Sequence, residues 1–173
     1  MRSSETADLF MVLIMYRLRK GGRAAVIIPD GFLFGADNAK LAIRAKLLKD
    51  FNLHTIIRLP GSIFAPYTSI ATNIIFFNNE RAEGAPEGYN TKETWFYRLD
   101  MPEGYKHFSK TKSMKLEHTA LITEWWNDRK EIVADNDEKS RCFSVEELIA
   151  SDCNFDCCKF PKEEEAVSYT HLR

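Results

Sequence analysis

The sequence predicts an α/β fold: a mostly parallel sheet with an antiparallel edge strand, followed by a small helical C-terminal region. Three observations predict it. The stretch "GGRAAVIIPDGFLFG", Gly21 to Gly35, reads as a two-glycine turn, a short apolar strand and an abrupt loop. That strand, a helix and a second strand stand in the βαβ order of a parallel sheet. A third strand is reached through a loop without a helix, which suits an antiparallel strand at the sheet edge.

The elements follow in order. Residues 5–20, "ETADLFMVLIMYRLRK", predict a helix with Thr6 as its cap, Asp8 at its positive end and Arg17, Arg19 and Lys20 at its negative end. Apolar residues surround most of its circumference, so it is expected to be largely buried. Gly21-Gly22 ends it. Arg23 to Ile28 is too short and too β-branched for a helix, and being apolar on both faces it suits a buried parallel strand. Pro29 cannot donate to a ladder and Gly31 permits positive φ, so the strand stops there. A second helix is expected over Asp37–Phe51, with Leu41, Ala45 and Leu48 at core spacing. Lys40 and Arg44 share another face, read as solvated in preference to phosphate-contacting.

Leu53 to Pro60 and Ile70 to Phe77 are the next strands, joined by the loop "GSIFAPYTS". Asn78 to Glu93 is polar and rich in turn residues, hence a loop. Thr94 to Asp100 alternates as a further strand, with Trp95, Tyr97 and Leu99 on one side. Residues 101–116 look irregular. Glu117 to Glu131 predicts an amphipathic helix carrying Leu121, Ile122, Trp125 and Trp126. Asp135 to Arg141 reads as a charged linker, and "SVEELIA" from Ser144 as a short helix with Glu147 in capping-box position. The tail Val167 to Arg173 continues no upstream pattern and is set aside as non-native.

At 173 residues the chain has room for one sizeable core, or one domain and an appendage. Its near-neutral net charge of −1 hides an asymmetry: residues 1–77 carry an excess of five positive charges and residues 78–173 an excess of six negative ones. A basic first half suits a polyanion such as nucleic acid. Cys142, Cys153, Cys157 and Cys158 fit neither zinc-ligand spacing nor a disulfide framework and read as free intracellular thiols. The longest apolar run, Leu9 to Tyr16, is far below the roughly 20 residues that span a bilayer. No signal peptide is visible, and the expected location is cytoplasmic, without a membrane.

Taken cold, the residues offer no catalytic constellation. The histidines His54, His107, His118 and His171 stand singly, and each is more often a surface or satisfied histidine than a base or ligand. In open α/β sheets ligands bind at the carboxyl ends of strands, which places Pro29 to Phe34 at a candidate site. Asp30 there suits either an acid/base or hydrogen-bonding role, or simply a Pro-Asp-Gly turn.

The segments "DLFMVLIMYRLRKGGRAAVIIPDGFLFG", "IRAKLLKDFNLHTIIRLPGSIF" and "TNIIFF", in this order, resemble the second half of adenine-specific N6 DNA methyltransferases, in particular the modification subunit of type I restriction–modification systems. "TWFYRLD" and "FSVEELIASDCNFD" resemble that subunit's segments beyond the catalytic core. Cys157-Cys158 depart from the family's pattern. The resemblance implies a doubly wound sheet binding S-adenosylmethionine, a target adenine flipped out of double-stranded DNA, and specificity and restriction subunits as partners. It divides the chain into a partial methyltransferase domain, 1–100, and a partner-contacting extension, 101–166, before the tail 167–173.

The same resemblance assigns site residues. Phe10 matches the helix position lining the cofactor's adenine pocket. Phe64 matches the loop aromatic that packs against the flipped base, where stacking contributes on the order of 1–3 kcal/mol per base. Pro29, Asp30 and Phe32 would shape the floor beneath that base, with Arg58 and Tyr67 as further DNA contacts. The family's Asn-Pro-Pro-aromatic motif and cofactor Gly-loop do not occur in this sequence, so no catalytic residue is assigned and the chain alone is expected to be inactive. The alternative reading is a non-catalytic module that docks a specificity subunit; a methyltransferase acting on RNA or protein glutamine is a third.

Overall fold

The computed structural model describes residues 5–161; the expected tail lies outside them. The elements are α1 (Thr6–Arg17), β1 (Arg23–Pro29), α2 (Gly31–Phe34), α3 (Asn38–Asp50), β2 (Asn52–Arg58), β3 (Thr72–Asn78), β4 (Glu93–Arg98), a 3₁₀ turn (Leu116–Thr119), α4 (Ala120–Asn127), β5 (Ile132–Ala134), β6 (Asp137–Ser144) and α5 (Val145–Ala150). The strands form one sheet in the order β1-β3-β2-β4-β6-β5.

The α/β class holds, and β3 runs antiparallel as expected, but not at an edge. It lies between β1 and β2 and pairs antiparallel with both. The helical crossover through α3 leaves a gap one strand wide. The returning chain fills it, satisfying the backbone hydrogen-bonding groups of both neighbours at once. β6 fills a second such gap, between β4 and β5. The sheet is therefore mostly antiparallel in its pairings, with β2 and β4 the parallel pair. This places β1 at the edge, and its outward residues, among them Ile27, are exposed in place of the expected burial on both faces.

Two cores sandwich the sheet. On one face Met11 and Met15 of α1, Ile43, Leu47 and Leu48 of α3 and Val145 and Leu148 of α5 pack over Ile28, Ile56, Ile75, Phe77 and Phe96. On the other, Trp125 and Trp126 of α4 cover Ile57, Phe76, Trp95, Tyr97 and Leu99. Each fully buried aliphatic or aromatic side chain contributes about 1.5–3 kcal/mol. Trp95, Tyr97 and Leu99 do share one side.

Several local expectations change. α1 has Glu5 at its cap position, with no side-chain cap bond from Thr6. It buries one stripe only, leaving Leu9, Phe10, Val12, Leu13 and Tyr16 exposed, because a helix at the edge of a sheet has one packed neighbour face. Gly21, at φ +72°, makes the turn into β1. α3 is capped by Asp37, whose side chain accepts from the Lys40 amide. Lys40 and Arg44 are buried, neither solvated nor free for phosphate. The Lys40 ammonium sits among Glu5, Asp37 and Asp8 at 2.9, 3.1 and 3.3 Å. Burial alone would depress its pKa, but these carboxylates outweigh burial and hold it above its ordinary value.

The linker expected at Asp135–Arg141 is instead a hairpin, β5 and β6, turning at Asn136 with φ +62°. Its charges are paired: Arg98 binds Asp137 and Lys139 binds Asp100. α4 is shorter than the sequence suggests and starts from the 3₁₀ turn. The Ser144–Glu147 capping box of α5 forms as expected.

Candidate functional site

The carboxyl ends of β1 and β2 and the amino end of β3 meet on one rim of the sheet. The Asp30 amide donates to the Ala71 carbonyl at 2.9 Å, and the Leu59 amide to Thr72 at 3.0 Å. Those two bonds set the Pro29–Gly35 loop beside the stem of the loop 59–71. The first turn of α1 reaches the same rim, since Asp8 pairs with Lys40 at the start of α3.

Asp30 is fixed from two sides. Its Oδ1 accepts from Arg58 Nη1 at 2.6 Å and from Asn73 Nδ2 at 2.8 Å. Asn73 is fully buried and faces Ile28 on one neighbour strand and Arg58 on the other. Among the described residues no hydrogen bond to Asp30 Oδ2 is formed, and about a quarter of the side chain (26%) remains open to solvent. Arg58 is itself buried, and its other arm donates to Asp156 Oδ1 at 2.6 Å. Phe32 lies beneath the loop at 0% exposure. The bend after α2 needs a glycine: a Cβ on Gly35 would stand 2.7 Å from the Gly31 carbonyl oxygen.

The neighbouring loop presents aromatic surface. Phe64 is 36% exposed and Tyr67 90% exposed. The loop is held by turns from Ala65 and Tyr67 to Ser62 and Phe64, and Ser62 Oγ accepts from the buried Phe108's amide at 2.8 Å. Phe10 stands on the open face of α1, 58% exposed.

The structure thus brings Asp30 and Arg58 into direct contact next to Pro29, with Phe32 buried in the same loop and Phe64 and Tyr67 on the adjoining loop. Arg58 is turned inward, committed to carboxylates. Sequence reasoning missed Asn73, Asp156 and Arg44. A polar Asn inside the apolar strand "TNIIFF" was the available signal, because such a residue is buried only when it has partners. Asp156 carried none, since its partner lies 98 residues away.

A groove of about 590 Å³ lies at the opposite end of the sheet, lined by Arg23, Asn52, His54, Phe76, Asn78, Trp126 and Arg129. Burial, and then the charge of Arg129, push the His54 pKa down to about 4, so the ring is neutral near pH 7. The cysteines are free thiols. Burial raises the pKa of each, to about 11 for Cys157 and about 12 for Cys142 and Cys158, which makes them poor nucleophiles.

An α/β sheet with two loops meeting on one rim is the setting, and the chain belongs to the N-6 DNA methylase family, whose model matches residues 1–168. The chain is 42% identical over 171 residues to the type I restriction enzyme EcoEI methylase subunit of Escherichia coli, covering 98% of this chain and 33% of that protein. It is 32% identical over 146 residues to the EcoKI methylase subunit of Escherichia coli strain K12, covering 83% and 26%. Among solved structures it is similar to a modification subunit of a putative type I restriction enzyme from Vibrio vulnificus YJ016, with TM-score 0.70 and 38% identity over 86% of this chain and 29% of that one. The chain spans a third or less of the length of these relatives. Among the described residues no helix is long and apolar enough to cross a membrane.

Proposed function

We propose that the chain supplies the base-facing wall of an adenine-specific N6 DNA methyltransferase working in type I restriction–modification. The observation that supports it is the pairing of a rigid loop with an exposed aromatic loop on one rim. A flipped adenine needs an aromatic face to stack on and a fixed floor beneath the base. Phe64 offers the face, with Tyr67 beside it. Pro29 and Asp30, braced by Phe32 and Arg58, make the floor. The buried state of Arg58 favours a role in holding Asp30 over direct contact with DNA.

The cofactor this family implies is S-adenosylmethionine, which supplies the transferred methyl group. The fit of this chain is partial. Phe10, exposed and flanked by the apolar Leu9 and Leu13, suits one side of an adenine ring. The chain carries no Asn-Pro-Pro-aromatic motif to orient the target amino group. Double-stranded DNA, a specificity subunit and a restriction subunit are the partners of this reading, and the extension after residue 100 is its partner-contacting part.

Two measurements test it. The chain alone is expected to transfer no methyl groups to unmodified DNA in a tritiated-methyl assay, and clear turnover would overturn that. In the complete subunit, Phe64→Ala is expected to weaken base capture by on the order of tenfold, from the loss of 1–3 kcal/mol of stacking. A fluorescent analogue at the target adenine reports it, and an unchanged flipping signal removes Phe64 from the site.

A further inference from the structure

We infer that Asp156 is a positioning residue for the methyltransferase site, acting through Arg58 on Asp30; the inference rests on the proposed function. The segment Cys153–Cys158 follows α5, more than a hundred residues after the Pro29–Gly35 loop, yet it is tied to that loop at three levels. The Phe155 amide donates to the Leu33 carbonyl at 3.0 Å, and the Phe155 ring is fully buried. Arg44, 1% exposed, donates to the carbonyls of Cys153, Phe32 and Gly35 at 2.7, 2.8 and 2.9 Å, so one guanidinium clamps segment and loop together. Arg58 then bridges Asp156 and Asp30 at 2.6 Å each.

These ties divide the labour. Arg44 and Phe155 hold the Phe32–Gly35 end of the loop by its carbonyls, while its start, at Asp30, whose own carbonyl accepts from the Leu33 amide, is held through the Asp30 side chain. The Asp156–Arg58 pair reaches a side chain, and that side chain has one oxygen fully engaged and one left to the rim. With Asp30 as its one carboxylate partner, the Arg58 guanidinium would be held besides only by two long 3.4 Å donations to the Cys157 carbonyl. A second carboxylate on its other arm fixes the plane, because the donors form a rigid fork. Asp156 is the second carboxylate. It is 13% exposed, its own amide is held by Asn154 Oδ1 at 2.9 Å, and its Oδ2 is paired with Lys159 at 2.5 Å. The orientation of Asp30 Oδ2 is thereby set by residues near the far end of the described chain.

The test has two arms. In the chain itself, Asp156→Ala is expected to raise hydrogen exchange at the Leu33 and Gly35 amides about tenfold, with the β4–β6 ladder unchanged. In the complete modification subunit, assembled with its specificity subunit, Asp156→Ala is expected to lower kcat on the order of tenfold with KM for DNA within about twofold, since a misplaced floor costs alignment more than binding. Asp156→Asn keeps an acceptor for Arg58 and is expected to recover most of that loss. Asp137→Asn, which loosens the buried Arg98 instead, serves as the control and is expected to leave kcat unchanged. Unchanged loop exchange, equal kcat in the Ala variant and wild type, or an equal loss from Asp137→Asn each overturns the inference. If the unsubstituted subunit transfers no methyl groups, the methyltransferase reading is what fails, and the exchange arm still decides whether Asp156 holds the loop.

Discussion

Arg58 and Arg98 occupy the same height on the parallel strands β2 and β4, directly opposite each other in register. Both are buried, and both bind two carboxylates. Their surroundings differ. Arg98 gathers Asp100 and Asp137 at 2.6 Å, and the Lys159 carbonyl at 2.6 Å, closing the β5–β6 hairpin onto the sheet. Its carboxylates are 38% and 37% exposed. Arg58 joins a loop and a distant segment, and its carboxylates are 26% and 13% exposed. A buried ion pair is therefore not in itself a mark of function. What the pair immobilises, and whether a polar atom is left facing the rim, separates the two.

The largest expected effect is on stability, and it should be unequal. Arg58→Met leaves Asp156 and Asp30 in a poorly hydrated place, and losing one partner of a buried pair costs about 3–5 kcal/mol. Arg98→Met leaves carboxylates that water reaches, so the cost should fall near about 1–2 kcal/mol, closer to that of a charged hydrogen bond. Urea melts of the two variants measure the difference. Equal losses, or a larger loss at Arg98, would erase the distinction drawn from exposure.

Acid separates regions of the molecule in a second way. The His54 pKa is depressed from 6.5 to about 4 in the folded state, first by burial and then by Arg129. The unfolded chain binds the extra proton first, so His54 makes stability fall as pH drops from about 6.5 toward 4. For Asp100, burial raises the pKa, but hydrogen bonds from Arg98 and Lys139 outweigh it and lower the value below 3.8; for Asp137 the Arg98 hydrogen bonds lead. Their contribution is fully present above about pH 4 and is lost as pH falls through the lowered values. Melting temperatures across pH should show both windows. His54→Phe is expected to flatten the upper one and Arg98→Met the lower. A profile that His54→Phe leaves unaltered above pH 4 would detach the histidine from the effect.

How much of this was legible in the sequence depends on range. The strand from Arg23 with its stop at Pro29 and the Ser144–Glu147 box are decided by neighbours a few residues apart, and they stand where expected. The place of β3 is not local: the residues of "TNIIFF" suit an edge as well as an interior, and only the vacancy left by the crossover decides. The burial of Lys40, Arg44 and Arg58 was hidden for the same reason, since their partners lie up to 109 residues away. Phe64 and Tyr67 were singled out by the resemblance, and the structure adds that both side chains are open to solvent. Asp30 was found as a turn residue, and its geometry became visible only with Asn73 and Arg58 beside it.

The smallest effect offers the sharpest use of the comparison. Ser144 closes β6 and caps α5, the helix that leads into the Asp156 segment. Its hydroxyl accepts from the Glu147 amide at 3.3 Å, while Glu147 returns the contact to the Ser144 amide at 2.8 Å. Ser144→Ala removes the first bond and should cost about 1 kcal/mol. β6 is held to β4 from Ser140 to Ser144 and Arg98 anchors its far end, so the cost should fall on the helix side of the junction. Hydrogen exchange is expected to rise at the Ser151 and Cys153 amides, which bond back to Glu147 and Leu148, and not at the strand amides of β6. Equal loosening on both sides would mean that hairpin and segment open as one unit, and Arg58 and Arg98 would then belong to a single cooperative network.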